Sequence, residues 1–440
     1  TRAIAITAGS LGGYQSEVGI QIDGCGAMIV GDGGTLSLEG TGGGEAAGEG
    51  SGNTGVVFKG AELISGDGGT FAQTIWITGR GGVGGAGSHH GVQFAMQNSF
   101  SLRSAHGDSG VHLIDCVGGH GGAGAMIHAN HGIDFTAGHL TVDNGELHLS
   151  RISGGTSDQG GYHCGVYMKN GTCSAPIIRA IDVMSGSGYG ANAGFFMTSS
   201  KAILGNDTTS LLSIAASSRG MGSDEVGIHL DANAKIQVGD GGTLRLVGTG
   251  SQTSSGSRNF GVAISQAKLV SGNGGSEPQT IQITGIGGRS TQSANTGVNI
   301  AQTLSVDLNS THSDNALEFI DCQGGSGESG NHGLSIYSPL TLTNGTLSFL
   351  RITGGSGEGS CGVFIGDVAV SAPQIKGAQI LGGSGENKQI GLHITGSGAS
   401  LGNASTALLS IEAASLGTKS YNAGIQVDHG GSFQVGVQGE

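Results

Sequence analysis

Histidine is unevenly spread along this 440-residue chain: ten of its fifteen histidines fall between His89 and His163. Imidazole binds metals and moves protons near neutral pH, so chemistry is sought first in this region. Aligning the recurrent apolar–polar–apolar segments places His112, His148 and Asp182 on successive turns of one face. If that register holds, the three lie within reach of a single metal ion. The matching residues in the second half are Glu318, Ser348 and Gln379. The ligand set is therefore not part of a repeated design, and a polar surface column accounts for it equally well.

Other catalytic signatures are weaker still. A second outward column runs through Gln21, Val57, Gln93, Asp134, Tyr167 and Phe196, then His229, Ala263, Asn299, Ser335, Phe364, His393 and Gln426. It holds one acid, too few for the paired carboxylates of glycosidic-bond cleavage. Gly82-Val83-Gly84-Gly85-Ala86-Gly87 has the spacing of a dinucleotide-binding loop, but no helical pattern follows it and glycine is everywhere. Asp32, Asp67 and Asp240 stand in Gly-Asp-Gly-Gly runs that the chemistry of tight turns explains, and Asn273 replaces the acid in one copy. Asn170, Asn206, Asn309, Asn344 and Asn403 begin Asn-x-Ser/Thr triplets, which Asn- and Thr-rich turns also generate by chance. The site residues are thus read as catalytic none, cofactor none and metal none, with His112, His148 and Asp182 kept as the metal candidates.

The elements that would position these residues come from a long internal repeat. Gly19-Ile20-Gln21-Ile22-Asp23 returns as Gly227-Ile228-His229-Leu230-Asp231, and Ile114-Asp115-Cys116 returns as Ile320-Asp321-Cys322. Each long repeat divides into six units that open with glycine: Gly19, Gly55, Gly91, Gly132, Gly165 and Gly194, then Gly227, Gly261, Gly297, Gly333, Gly362 and Gly391. Gly424 begins a third copy. Every unit carries three short apolar segments of alternating pattern, with Asp-Gly or Asn-Gly turns and a glycine-rich exit. This predicts an all-β fold, a parallel and by the crossover rule right-handed β-helix with three strands per coil. A β-sandwich array and a propeller are the competing architectures. Twelve to thirteen coils at ~4.8 Å each give a rod of roughly 60 Å. The expected organisation is one continuous solenoid: the end of a preceding repeat (1–17), repeat A (18–225), repeat B (226–422) and the start of a third (423–440).

Composition narrows the function. Ninety-two glycines with only four prolines and no three-residue period exclude collagen. A net charge of −14 argues against nucleic acid and anionic membranes, and no apolar run is long enough to cross a bilayer. Two of the six cysteines recur, Cys116 as Cys322 and Cys164 as Cys361, which invites one disulfide per repeat; buried free thiols are the other reading, since the positions fall on different coils.

The Gly-Val-x-Ile openings and the Ile-Thr-Gly strand exits (Ile77-Thr78-Gly79, Ile283-Thr284-Gly285) resemble the repeat regions of secreted bacterial β-helix proteins. These are filamentous-haemagglutinin-like adhesins, autotransporter passengers and giant glycine-rich extracellular fibre proteins. The resemblance spans the whole chain and implies the fold and a secreted, cell-surface setting; adhesins, fibres and enzymes share that scaffold, and no cofactor is expected. The expectation is a structural segment of a fibre, sheath or stalk that continues into, or self-associates with, further repeats. Ile4, Ile6, Phe433 and Val435 would then lie nearest the joining edges. The alternative is an adhesin reading glycans through the loop from Val117 to His131, and a carbohydrate-active enzyme stands third. Neither end shows a capping repeat, so the chain reads as part of a longer protein.

Overall fold

The computed structural model describes residues 3–12, 16–24, 27–44, 52–85, 88–96, 98–121, 129–157 and 162–436. Cys25, the stretch 122–128 of the expected recognition loop, and Ala86-Gly87 of the glycine-rich run lie outside them. The fold is all-β, a multi-turn parallel β-solenoid gathered into two compact units, Thr1–Gly222 and Ser223–Glu440.

In the first unit the third segments form one parallel ladder: Ala3–Gly9, Thr35–Thr41, Thr74–Arg80, Gly110–Ile114, Glu146–Ser153, Ile177–Met184 and Leu211–Ser217. In the second they are Thr243–Thr249, Thr280–Ile286, Ala316–Ile320, Thr346–Thr353, Gln374–Leu381 and Leu408–Ala414. Alternation sends every second residue inward, and parallel pairing puts like beside like. Leu36, Ile75, Val111, Leu147, Ile178 and Leu212 thus stack as one column without solvent access. Full burial of such a side chain stabilises by about 1.5–3 kcal/mol.

The first segments supply the opposite wall. Phe58, Phe94 and Phe135 stack with ring centroids 5.0 and 4.4 Å apart. In the third-segment ladder of the second unit Phe319 stacks on Phe349 at 6.0 Å. The next residue in that column is Gly377, where a Cβ would come within 2.8 Å of Ile380 and Ile411. A large ring and a bare backbone are thus paired to keep the core full.

Two details depart from the sequence expectation. First and second segments fuse into single bulged strands at Val262–Ser271 and Val298–Leu308. The glycine-rich exits, expected as loops, contain short ladders of their own: Val83–Gly84, His120–Gly121 and Thr156–Ser157, then Ser326–Ser329 and Ser356–Glu358.

Those exits show why glycine is so abundant. At Gly82, Gly119, Gly155 and Gly186 a Cβ would sit 1.7–1.9 Å from a carbonyl oxygen of the coil before, and at Gly325 and Gly355 it would sit 1.8 Å away. The need is close backbone approach. A different need recurs three residues before each opening glycine of the second unit. Asp224, Arg258, Ala294, Gly330, Gly359, Lys388 and Tyr421 all have φ between 55° and 65°, where L-residues are strained. Gly330→Ala, with nothing nearer its Cβ than His332 at 4.0 Å, should cost about 1 kcal/mol through φ alone. Gly355→Ala should cost about 3 kcal/mol or more through overlap. Hydrogen-exchange protection of the substituted coil would separate the two, and equal losses would contradict this account.

Candidate functional site

The outward face of the third-segment ladder brings together part of the proposed metal set. His112 pairs with His148 in register, with ring centroids 5.8 Å apart, and Trp76 stacks on His112 at 4.4 Å. The residue beside His148 on the next coil is Arg179, not Asp182. This corrects the sequence register by three residues. The strand begins at Ile177, directly after the Ala175-Pro176 turn, so Ile178-Arg179-Ala180 takes the place assigned to Ile181-Asp182-Val183. The same slip occurs in the second unit, where Lys376 and not Gln379 lies beside Ser348.

The consequence for chemistry is direct. Arg179 brings a fixed cation beside His148, and Glu146 is shared between Arg179 Nε at 3.3 Å and His148 Nδ1 at 3.8 Å. Burial, followed by the neighbouring His148, lowers the pKa of His112 against the opposing pull of Glu146. Among the described residues no group of three or more His, Cys, Asp or Glu side chains is placed to hold a metal ion. Asp182 lies instead on a bulge with φ of 54°, in a column with Asp115 and Arg151 at 55° and 52°. There Arg151 donates to both oxygens of Asp115, at 2.7 and 2.8 Å. Asp321 and Arg351 repeat the pairing at 2.6 and 3.0 Å.

Asp134, the lone acid of the first-segment face, sits where the sequence alignment put it, between Gln93 and Tyr167. It is buried and has acquired a partner from the corner: His90 Nε2 lies 3.5 Å from its carboxylate. Gln93 Nε2 and Thr136 Oγ1 also donate to it, at 3.1 and 2.5 Å. An Asp–His pair suggests proton transfer, but the other ring nitrogen, Nδ1, accepts the His131 N–H at 3.2 Å. With both nitrogens committed, His90 has no lone pair for a substrate, and the pair is a tie between coils. His131 continues the device, stacking on Tyr167 at 4.6 Å and accepting the Cys164 N–H at 3.1 Å.

The most regular polar feature is one the repeat pattern alone does not reveal. Two residues before the opening glycines stand Asn53, His89, Asn130, His163 and Asn192, all buried. Each of the last four accepts a main-chain N–H from its counterpart on the coil before: His89 from Asn53 at 3.2 Å, Asn130 from His89 at 2.9 Å, His163 from Asn130 at 3.3 Å and Asn192 from His163 at 2.9 Å. In the second unit Asn295 serves Asn259, Asn331 serves Asn295, and Ser360 serves Asn331, at 3.4, 2.9 and 3.3 Å. In the first unit the signal stands in the sequence as Asn- or His-x-Gly at each of these openings.

Other sequence candidates are placed under strands, in turns and on or beside the first and last described strands. Cys116, Cys164, Cys173, Cys322 and Cys361 are buried thiols outside any disulfide. Cys116 and Cys322 occupy equivalent places under the third strand, where burial pushes both thiols up to about 12. The carboxylate of Asp32 accepts the N–H groups of Thr70 and Phe71 on the next coil at 3.3 and 3.0 Å. Asn206 and Asn403 turn their side-chain oxygens onto the N–H two residues on, at 3.0 and 2.9 Å. Ile4, Ile6, Phe433 and Val435 are 47%, 38%, 41% and 60% exposed.

No family model, no curated protein and no solved structure matches this chain. Among the described residues no helix is long and apolar enough to cross a membrane.

The histidine ties predict a pH dependence. Burial lowers the pKa of His90, opposed by Asp134, and lowers that of His131, with His90 and His163 adding to the effect; it takes His332 to about 4. Unfolded chains bind protons at these rings below about pH 6.5, whereas the folded rings resist them. Their stabilisation is complete above about 6.5 and is lost as pH falls through the folded values. The thermal midpoint should therefore drop between about pH 6.5 and 4. Asn places an oxygen where His places Nδ1, so His131→Asn should flatten that drop. An unchanged profile would show that the ties do not govern acid stability.

Proposed function

We propose that this chain is a non-enzymatic structural segment of an extracellular fibre, sheath or surface stalk. The observation that carries the reading is the iterated corner. Coil after coil offers the next one the same kind of glycine contact, main-chain acceptor and aliphatic column, so a further coil meets ready-made partners. The buried corner histidines His89, His90, His131 and His163 each accept a main-chain N–H across a coil boundary, which suits a structural role. The low charge and the glycine-, serine- and threonine-rich surface suit a durable exposed fibre, and the likeness to secreted bacterial β-helix proteins supports the extracellular placement.

Growth would proceed by strand addition. Ala3–Gly9 is hydrogen-bonded along one side by Thr35–Thr41 and leaves Ile4 and Ile6 half exposed. Ser432–Phe433 pairs with Ser400–Leu401 and leaves Phe433 and Val435 uncovered. In such a junction Ala3–Gly9 of one copy would continue the third-segment ladder that ends at Leu408–Ala414 of another, while Ser432–Phe433, which belongs to the second-segment ladder, would meet Ala27–Val30.

Electron microscopy of purified protein over a concentration series tests this. Continuous filaments with a repeat of ~4.8 Å along the axis are expected, and Ile6→Lys or Phe433→Lys should leave only short particles. Discrete particles of single-chain mass at every concentration would overturn the polymer reading.

A further inference from the structure

We propose that the groove beside Tyr337 is a binding site for a neutral oligosaccharide. The inference goes beyond the structural role and does not depend on polymer growth.

The groove comes from one row of the second unit, the fifth residue from each opening glycine. Ile336 pairs with Ile365, which sets Tyr337 beside Gly366, and Gly366 pairs with Thr395 and Thr395 with Asp428. Gly366 has no side chain to fill the space next to the ring. A Cβ there would come within 2.8 Å of Phe364 and 3.2 Å of Tyr337. The result is a cavity of about 600 Å³ lined by Tyr337, Phe364, Gly366, Asp367, Thr395 and His429. On its other side Tyr337 also borders a second groove of about 360 Å³, which carries Asn299, Ser335 and Arg258. One half-exposed ring, 46% accessible, thus divides two adjoining depressions. The ring lies 5.4 Å from that of Phe364, which is stacked in turn on His332 at 4.9 Å, so the wall is braced from behind.

That combination fits a sugar. One face of a pyranose presents C–H groups, which suit the electron-rich face of an aromatic ring, and its rim presents hydroxyls that both donate and accept. Asp367 is exposed and can accept from vicinal hydroxyls. Thr395 can do both, and His429 and Asn299 extend the polar contacts. A turn fixes Asp367: its φ is 54°, and Gly396 opposite has no room for a Cβ, which would meet the Asp367 carboxylate at 2.0 Å. Arg258 in the second groove is already paired with Asp224 at 2.7 Å, so the exposed Asp367 carboxylate sets the charge preference, disfavouring uronic and sialic acids and pointing to uncharged sugars. Two depressions around one ring suit a chain of sugars better than a single unit.

The fold does not require this arrangement. The equivalent positions in the first unit are Thr136, Lys169 and Thr198, and they complete their coils without an exposed aromatic ring.

Titration calorimetry of the full chain with cellohexaose, xylohexaose, maltohexaose and tetragalacturonate tests the proposal. At least one neutral oligomer should bind with a Kd at or below about 1 mM. Tyr337→Ala should weaken it about tenfold or more, and Asp367→Asn about threefold or more, with the thermal midpoint of the exposed Asp367→Asn variant unchanged. No binding of any neutral oligomer at about 10 mM, binding indifferent to both substitutions, or binding of tetragalacturonate alone would overturn it.

Discussion

The corner between the third segment of one coil and the first segment of the next governs this protein. There the main chains of neighbouring coils touch, with carbonyl oxygens lying where side chains would otherwise begin. Such contact would strand main-chain N–H groups in a dry interior, at roughly 1–3 kcal/mol each. The Asn and His side chains two residues before the opening glycines remove that cost by accepting them across the coil boundary. Glycine makes the contact sterically feasible, and the polar ladder makes it electrostatically tolerable.

Once the corner is fixed, the rest of each coil is free within limits. Inward columns need only apolar volume that sums correctly, which is why Phe349 can stand beside Gly377. Outward columns need only avoid conflict, and there the two units diverge: Trp76, His112 and His148 in one, Gln282, Glu318 and Ser348 in the other. The Arg151–Asp115 and Arg351–Asp321 pairs are the exception, recurring on the same left-handed bulge of both units. Exposed pairs add little stability. Their value lies in holding a bulge that both units place at the same point of the coil.

The parts legible in the sequence were those anchored to the glycine. Counting outward from each opening residue placed the first-segment face correctly, from Gln21 beside Val57 to His393 beside Gln426. Counting failed beyond the bulge. A left-handed residue resets the alternation, so Ile178 and Val183 both point inward although they stand five positions apart. Ile181-Asp182-Val183 then looks like the better apolar–polar–apolar match, while the real partner triplet carries the smaller Ala180. The corner ladder was visible as a spacing but not as a function, because Asn and His before glycine also read as ordinary turn residues.

The same reasoning explains why a histidine cluster can mislead. Unit one uses His at several corners where unit two mostly uses Asn or Ser, and His89, His163, Asn295, Asn331 and Ser360 all accept an N–H across the coil boundary. His Nδ1, Asn Oδ1 and Ser Oγ all serve. What distinguishes them is that imidazole adds an aromatic face, and His131 and His332 use it to stack against Tyr167 and Phe364. Imidazole also adds a proton affinity that burial must hold down. A histidine-rich stretch in a solenoid can therefore mark extra packing gained at the expense of acid stability, and the residue type alone does not distinguish that exchange from catalysis. The partner on the second ring nitrogen does, and for His90 that partner is the main chain.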